Sequence, residues 1–147
     1  MNEKLENRIV WSKIKNMKTI QVSAAIIIKE NKILATQRGY GEFKNGWEFP
    51  GGKIEEGETA EQALIREINE ELNVSIEIKS KLKIVEYNYP GFHLTMHCFL
   101  CIITSGTLIL KEHKSARWLC KEELDVVKWL PADREVISEL VNVLKEL

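Results

Sequence analysis

The chain has no apolar run near the ~20 residues of a membrane-spanning helix; the longest such stretch toward its start is Ala24 to Ile28. Its N-terminus also lacks the apolar segment of a secretory signal, so the expected setting is cytoplasmic, without a membrane partner. Cysteine is scarce and odd in number: Cys98, Cys101 and Cys120 show no framework spacing, which fits reduced thiols. Cys98-x-x-Cys101 has the spacing of half a zinc site but lies in the strand-like run Phe92 to Ile103, where residues three apart point to opposite faces. No second pair completes a set of four ligands, which excludes structural zinc. Neither sign of charge dominates. Lys plus Arg number 21 against 22 for Asp plus Glu, a formal net charge of −1, so no global field draws the protein to nucleic acid or anionic lipid. A charged ligand has to be met by a local arrangement.

What is present suits one globular domain: 147 residues, 44% hydrophobic and 29% charged, long enough to bury roughly two-thirds of the unfolded surface without disulfides. Residues 1–18 are polar and basic apart from Ile9, Val10, Trp11 and Ile14, and read as an N-terminal extension or short docking helix; residues 19–147 read as the domain. Val22 to Ile28 and Ile33 to Arg38, turned by Glu30-Asn31-Lys32, predict a β-hairpin. Gly39 to Gly57 holds six of the eight glycines and predicts a long shaped loop. Thr59-Ala60-Glu61-Gln62 predicts a capping box opening a helix to about Leu72. Ser75 to Tyr87 and Phe92 to Ile103 predict strands joined through Asn88-Tyr89-Pro90-Gly91, and Ala116 to Leu119 a short later strand. Val136, Ile137, Leu140, Val141, Leu144 and Leu147 recur at helical spacing and predict an amphipathic C-terminal helix. Strands, helix, strands, helix, without internal repeats, give an α/β class: a mixed sheet with helices packed on it.

The chemistry concentrates in Gly51-Gly52-Lys53-Ile54-Glu55-Glu56-Gly57-Glu58 and the helix carrying Arg66-Glu67-Ile68-Asn69-Glu70-Glu71. At about 100° per residue, Glu67, Glu70 and Glu71 share one arc beside an apolar stripe of Leu64, Ile65, Ile68 and Leu72. Like charges at these spacings repel by about 0.2–0.5 kcal/mol per pair, and no Lys lies between them. A cation would supply the missing charge, and clustered carboxylates suit Mg²⁺, which shares its remaining positions with water and substrate phosphates. The plain alternative is a solvated acidic face. Against it stand the paired glycines, which let backbone approach a ligand closely, the helix N-terminus with its free N–H groups, and the positive charge of Lys53.

Gly52, five residues, Glu58, seven residues, then Arg66-Glu67-Ile68-Asn69-Glu70-Glu71-Leu72-Asn73-Val74 resembles the Nudix box. Asn73 stands where that family has glycine, and Asn is the next-best residue for a left-handed helix cap. The likeness runs over residues 19–146 and is nearest the MutT-like and CTP-pyrophosphohydrolase-like members. It is carried there by Trp47-Glu48-Phe49-Pro50-Gly51-Gly52-Lys53, Tyr89-Pro90-Gly91, Lys111-Glu112 ahead of Trp118, and Pro131-Ala132-Asp133. The resemblance implies a Nudix α/β/α sandwich that hydrolyses nucleoside triphosphates to monophosphate and pyrophosphate. It places metal on Glu67, Glu70, Glu71 and the Gly51 carbonyl, makes Glu112 a later-loop ligand or base, and sets Arg38 and Lys53 along the phosphate cleft. The implied cofactor is Mg²⁺, with Mn²⁺ as substitute, and the implied partner a small-molecule nucleoside triphosphate met by a monomer or homodimer.

Such hydrolysis needs charge neutralisation and an aligned water more than a covalent nucleophile, which agrees with a carboxylate cluster. Arg66, beside Glu70, is expected to orient the carboxylates, and Glu58 to bind backbone or a distant metal. His93 and His97 sit ~13 Å apart along one strand and read as sheet-surface residues; His113 and Trp118 read as packing. Phe49 and Tyr89 are the expected walls of a base slot. Asp133 has two readings, a helix N-cap or a reader of the base. In the 8-oxoguanine-selective relatives this position is usually an amide, whereas an ionised Asp only accepts hydrogen bonds. The expected substrate is accordingly a cytosine-type triphosphate such as dCTP or a 5-modified relative. The alternatives are an 8-oxo-dGTP-sanitising enzyme and a Nudix module that binds nucleotide without turnover, which should have lost box carboxylates.

Overall fold

The computed structural model describes residues 18–146. The extension expected over residues 1–18 therefore lies, except for Lys18, outside the described residues, as does Leu147. Strand β1 (Lys18–Lys29) is the spine: it pairs in parallel with β6 (Phe92–Gly106), from Lys18↔Phe92 to Ile27↔Cys101. On its other edge β1 forks. Val22 to Ala24 pair with β4 (Gly51–Lys53), whereas Ile28 and Lys29 pair with β2 (Lys32–Arg38). β2 carries β3 (Trp47–Glu48) and β7 (His113–Leu119) as further neighbours, and β5 (Val74–Tyr89) closes the other edge on β6.

The continuous apolar run of β1 follows from burial on both faces. Ala24 and Ile26 belong to a core with Val136, Leu140 and Leu144. Ala25 and Ile27 belong to a second core with Leu64, Ile68 and Leu72 of helix α1 (Ala60–Leu72). Cys98 and Cys101 fall in opposite cores, as strand alternation requires, and burial pushes both thiols up to about 12. Helices thus cover both faces of a mixed sheet, the sandwich that the resemblance implies.

Local signals place the boundaries of α1. Thr59 and Gln62 form the reciprocal capping box, and Asn73 caps the C-terminus in the left-handed region at φ 60°. Other expectations need correction. The hairpin turn narrows to Glu30 and Asn31, both at positive φ. The Gly39 to Gly57 loop contains β3 and β4, because Trp47 and Glu48 find partners on β2 and Gly51 to Lys53 on β1. Asn88 and Tyr89 extend β5, leaving Pro90-Gly91 as the turn. The C-terminal helix is preceded by a separate turn, α2 (Pro131–Arg134), before α3 (Ile137–Glu146). The capping box makes one prediction: Thr59→Ala should lower stability to urea by about 1 kcal/mol with the native fold retained.

Candidate active site

Two cavities meet at the fork of β1. One, about 240 Å³, is largely apolar and walled by Phe43, Phe49, Tyr89, Met96 and Leu130, with Asp133 as a polar member. The other, about 450 Å³, is acidic and lined by Glu67, Glu71 and Glu112 together with Tyr40 and His113. Arg38, Glu48, Gly51, Gly52 and Lys53 border both. The two glycines are there because nothing larger fits. A Cβ on Gly51 would strike the Ser23 carbonyl oxygen, and one on Gly52 would strike the Glu67 carboxylate.

Arg66 organises the acidic side. Its Nε and Nη2 donate to the two carboxylate oxygens of Glu58 at 2.7 and 2.9 Å. Nη1 donates to Glu67 at 2.8 Å and Glu70 at 3.3 Å, and Nη2 also reaches the Lys53 carbonyl at 3.2 Å. Glu58 accepts the Glu55 backbone N–H at 2.9 Å as well, and the Arg66 guanidinium holds its carboxyl down at about 2. Glu58 therefore fastens the loop to the helix, the backbone-binding role expected of it. The triplet of unrelieved glutamates is corrected by the same contacts, since Glu67 and Glu70 share Arg66.

Glu71 is the exception. Only 8% exposed, it keeps its Oε2 buried without a hydrogen-bond partner. Burial first, then the charges of Glu67, Glu112 and Glu48, push its carboxyl up to about 9. An orphaned buried carboxylate oxygen among oxygen donors fits a hard divalent cation. Among the described residues, however, no three His, Cys, Asp or Glu side chains already converge enough to hold one. Metal ligation by Glu67 or Glu70 would share those carboxylates with Arg66, which holds Oε1 of Glu67 and Oε2 of Glu70.

The expected residues do not all gather. Arg38, Lys53, Gly51, Glu67, Glu71 and Glu112 do, and Phe49, Tyr89 and Asp133 line the apolar cavity. Glu70 lines neither cavity and turns outward, its side chain 57% exposed. Two of the N–H groups at the start of α1 are in use, because the Thr59 hydroxyl takes the Gln62 N–H and the Gln62 side chain takes that of Thr59. Asp133 is no N-cap: it lies inside α2, whose cap is Leu130. Its Oδ1 accepts the Phe49 backbone N–H at 2.9 Å across the molecule. Burial, aided by Glu48, pushes Asp133 up to about 8, which favours its protonated form near neutral pH. That direction runs against the ionised, acceptor-only Asp133 expected from the sequence.

Sequence reasoning passed over Glu48, Phe43 and Tyr40, and took His113 for packing. Glu48 accepts the Arg38 Nε–H at 2.8 Å on the border between the cavities, and its signal in the sequence is a lone acid between Trp47 and Phe49. His113 lines the acidic cavity, and burial, then Arg38, lowers its pKa. His93 and His97 stay on the sheet surface, bonded to Asn88 and Gln21.

Residues 17–140 match the family model of the NUDIX domain. The chain is 36% identical over 126 residues to an 8-oxo-dGTP diphosphatase of Escherichia coli (strain K12), covering 84% of this chain and 98% of that protein. It is also 36% identical over 118 residues to a CTP pyrophosphohydrolase of the same organism, covering 80% and 87%. The solution structure of the E. coli ORF135 protein superposes with a TM-score of 0.74 at 34% identity, over 89% of this chain and 94% of that one.

The isolation of Glu71 yields a prediction. A carboxyl whose folded pKa lies above its unfolded one favours folding least when ionised, so metal-free stability should fall as pH rises from about 4.5 toward 9. Glu71→Gln should remove that part of the slope and stabilise the chelator-treated protein at pH 7 by on the order of 1–3 kcal/mol. Glu70→Gln should not, since Arg66 already compensates Glu70. Urea titrations at pH 6 and 8.5 measure both.

Proposed function

The chain belongs to the NUDIX family of hydrolases, and on that premise we propose that it is a Mg²⁺-dependent nucleoside triphosphate pyrophosphohydrolase. The observation that carries this reading is the pair of cavities with a common border: an aromatic slot sized for a base, continuous with an acidic basin for a metal-neutralised phosphate chain. When bound, Mg²⁺ neutralises phosphate charge and polarises water for attack. Glu67, Glu71, Glu112 and the Gly51 carbonyl are the groups to hold it, with Glu70 joining from the rim. Arg66 fixes the orientation of Glu67, and Lys53 and Arg38 meet phosphate oxygens where the cavities adjoin. Water attacks phosphorus, the bridging P–O bond breaks, and a carboxylate of the acidic basin takes the proton. Monophosphate and pyrophosphate leave.

Residues 19–147 form the catalytic unit in this reading, acting in the cytoplasm. A rival module that binds without turnover is disfavoured by the full set of box carboxylates. Base choice turns on Asp133. With Oδ1 engaged by Phe49, a neutral Asp133 has an Oδ2–H to donate, the pattern of an amide side chain. A donor there pairs with a ring nitrogen or carbonyl of cytosine, which keeps cytosine-type triphosphates as the first reading alongside the likeness to the CTP pyrophosphohydrolase. It also pairs with a carbonyl of oxidised guanine, and the amide-like pattern favours 8-oxo-dGTP as the second reading.

A panel of normal, oxidised and 5-modified triphosphates assayed with Mg²⁺ should give monophosphate and pyrophosphate. Orthophosphate as the sole product, or activity indifferent to chelator, would sink the assignment. Glu71→Gln should cut kcat by about 10²–10³-fold, the scale of losing a charge-stabilising group. For Asp133, the neutral-donor reading predicts that Asp133→Asn keeps kcat/KM within about 3-fold while Asp133→Ala loses about 10-fold. Wild-type kcat/KM should drop as pH rises through about 8, and the Asn variant should not follow it. An Asn variant as poor as Ala would mean that the ionised form reads the base.

A further inference from the structure

The turn between β2 and β3, residues 39–46, carries two aromatic side chains, and each belongs to a different cavity. Phe43 reaches the apolar one, its ring 5.2 Å from Tyr89 and 6.5 Å from Phe92 between centroids. Tyr40 lines the acidic one yet is 67% exposed, the most exposed large hydrophobic side chain among the described residues. The foot of this turn is tied: the Asn45 N–H donates to the Arg38 carbonyl at 2.9 Å, the Arg38 N–H to the Gly46 carbonyl at 3.0 Å, and Lys114 Nζ to Asn45 Oδ1 at 3.0 Å. Its first residue, Gly39, abuts the Glu112 loop, since a Cβ there would lie 3.4 Å from the Glu112 carbonyl oxygen. Tyr40 thus lines the same cavity as Glu112, on a turn whose foot is fixed. Gly41 on its other side adopts φ 86° with open space around it, which leaves the tip room to shift.

We propose that Tyr40 is a positioning residue for the leaving pyrophosphate, its phenol donating to the terminal phosphate at the outer rim of the acidic cavity. The inference rests on the function proposed above. A nucleotide with its base between Phe43 and Phe49 brings its first phosphate to the shared border at Arg38 and Lys53, and the remaining phosphates extend over Glu67, Glu71 and Glu112. Side-chain donors on the lining of the acidic cavity are few, namely Arg38, Lys53, His113 and Tyr40, and the His113 Nδ1 is buried. Arg38 is already paired with Glu48, and Lys53 lies on the border rather than beyond it. The Tyr40 hydroxyl is a neutral donor in that position, able to contact phosphate without drawing the glutamates away from a cation as a further Arg or Lys would. One turn then spans the whole ligand, with an aromatic side chain for each end.

The test is calorimetric binding of pyrophosphate and of nucleoside monophosphate, each with Mg²⁺, to wild type, Tyr40→Phe and Tyr40→Ala. Tyr40→Phe should weaken pyrophosphate about 10-fold, the loss of one hydrogen bond to a charged acceptor, and leave the monophosphate within 2-fold (about 0.4 kcal/mol). In turnover, KM for the triphosphate should rise in the same variant. Pyrophosphate binding unchanged in both variants, or equal losses for the two products, would overturn the role. Wild type that binds pyrophosphate but hydrolyses no triphosphate would instead overturn the proposed function, while the Phe variant would still decide for or against Tyr40.

Discussion

A single guanidinium contacts Glu58, Glu67, Glu70 and the Lys53 backbone, and much of the site follows from how Arg66 distributes those donors. The planar fork of Arg suits bidentate seizure of Glu58, and with it the glycine-rich loop is drawn against α1. Gly52 lies so close to Glu67, which Arg66 also holds, that a Cβ at 52 would displace the Glu67 carboxylate. Arg66 also divides the glutamates by charge balance. Those that Arg66 touches are compensated, and the one it does not touch is left buried beside Glu67, Glu112 and Glu48. A lysine at 66 would supply charge without the fork and could not hold loop and helix together in the same way.

How much of this was legible depends on the distance over which each residue's role is decided. Thr59 with Gln62 and Asn73 are local: each acts on backbone within four residues, so composition and order sufficed. The two-sided burial of β1 was legible in its unbroken apolar run, and the box helix in its spacing. Asp133 was not, because its partner Phe49 lies 84 residues away and nothing near Pro131 signals a buried strand end across the fold. Glu70 and Glu71 are already separated on a helical wheel, where Glu71 falls about 20° from Leu64 at the edge of the apolar stripe and Glu70 about 100° further round. The chain after β6 then packs along that end of the helix, donating the Ile109 and Lys111 N–H groups to the Leu72 and Glu71 carbonyls. Glu48 was hidden, because a two-residue strand has no periodicity to read.

Glu48 also links the two halves of the site. It raises the proton affinity of both Glu71 and Asp133, so the acidic basin and the base slot share an electrostatic neighbour although their other walls differ. Its pairing with Arg38 tempers that effect. A charge arriving at Arg38, such as a phosphate, would compete with Glu48 for the guanidinium and be felt at both ends. Under the proposed function, base recognition and metal binding would therefore be coupled through Glu48.

The contact between Phe49 and Asp133 has a consequence for the order in which the protein comes into being. Apart from His113, the side chains of the acidic basin all precede β7 in the chain, so β1, the fork and the box helix leave the ribosome before the α2 turn does. The base slot is different. Its Asp133 and Leu130, and the α2 turn whose Ala132 N–H is received by the Tyr89 hydroxyl at 2.9 Å, arrive after the basin. During synthesis, the carboxylates of the basin are therefore present before the slot that the proposed function gives to the base is closed.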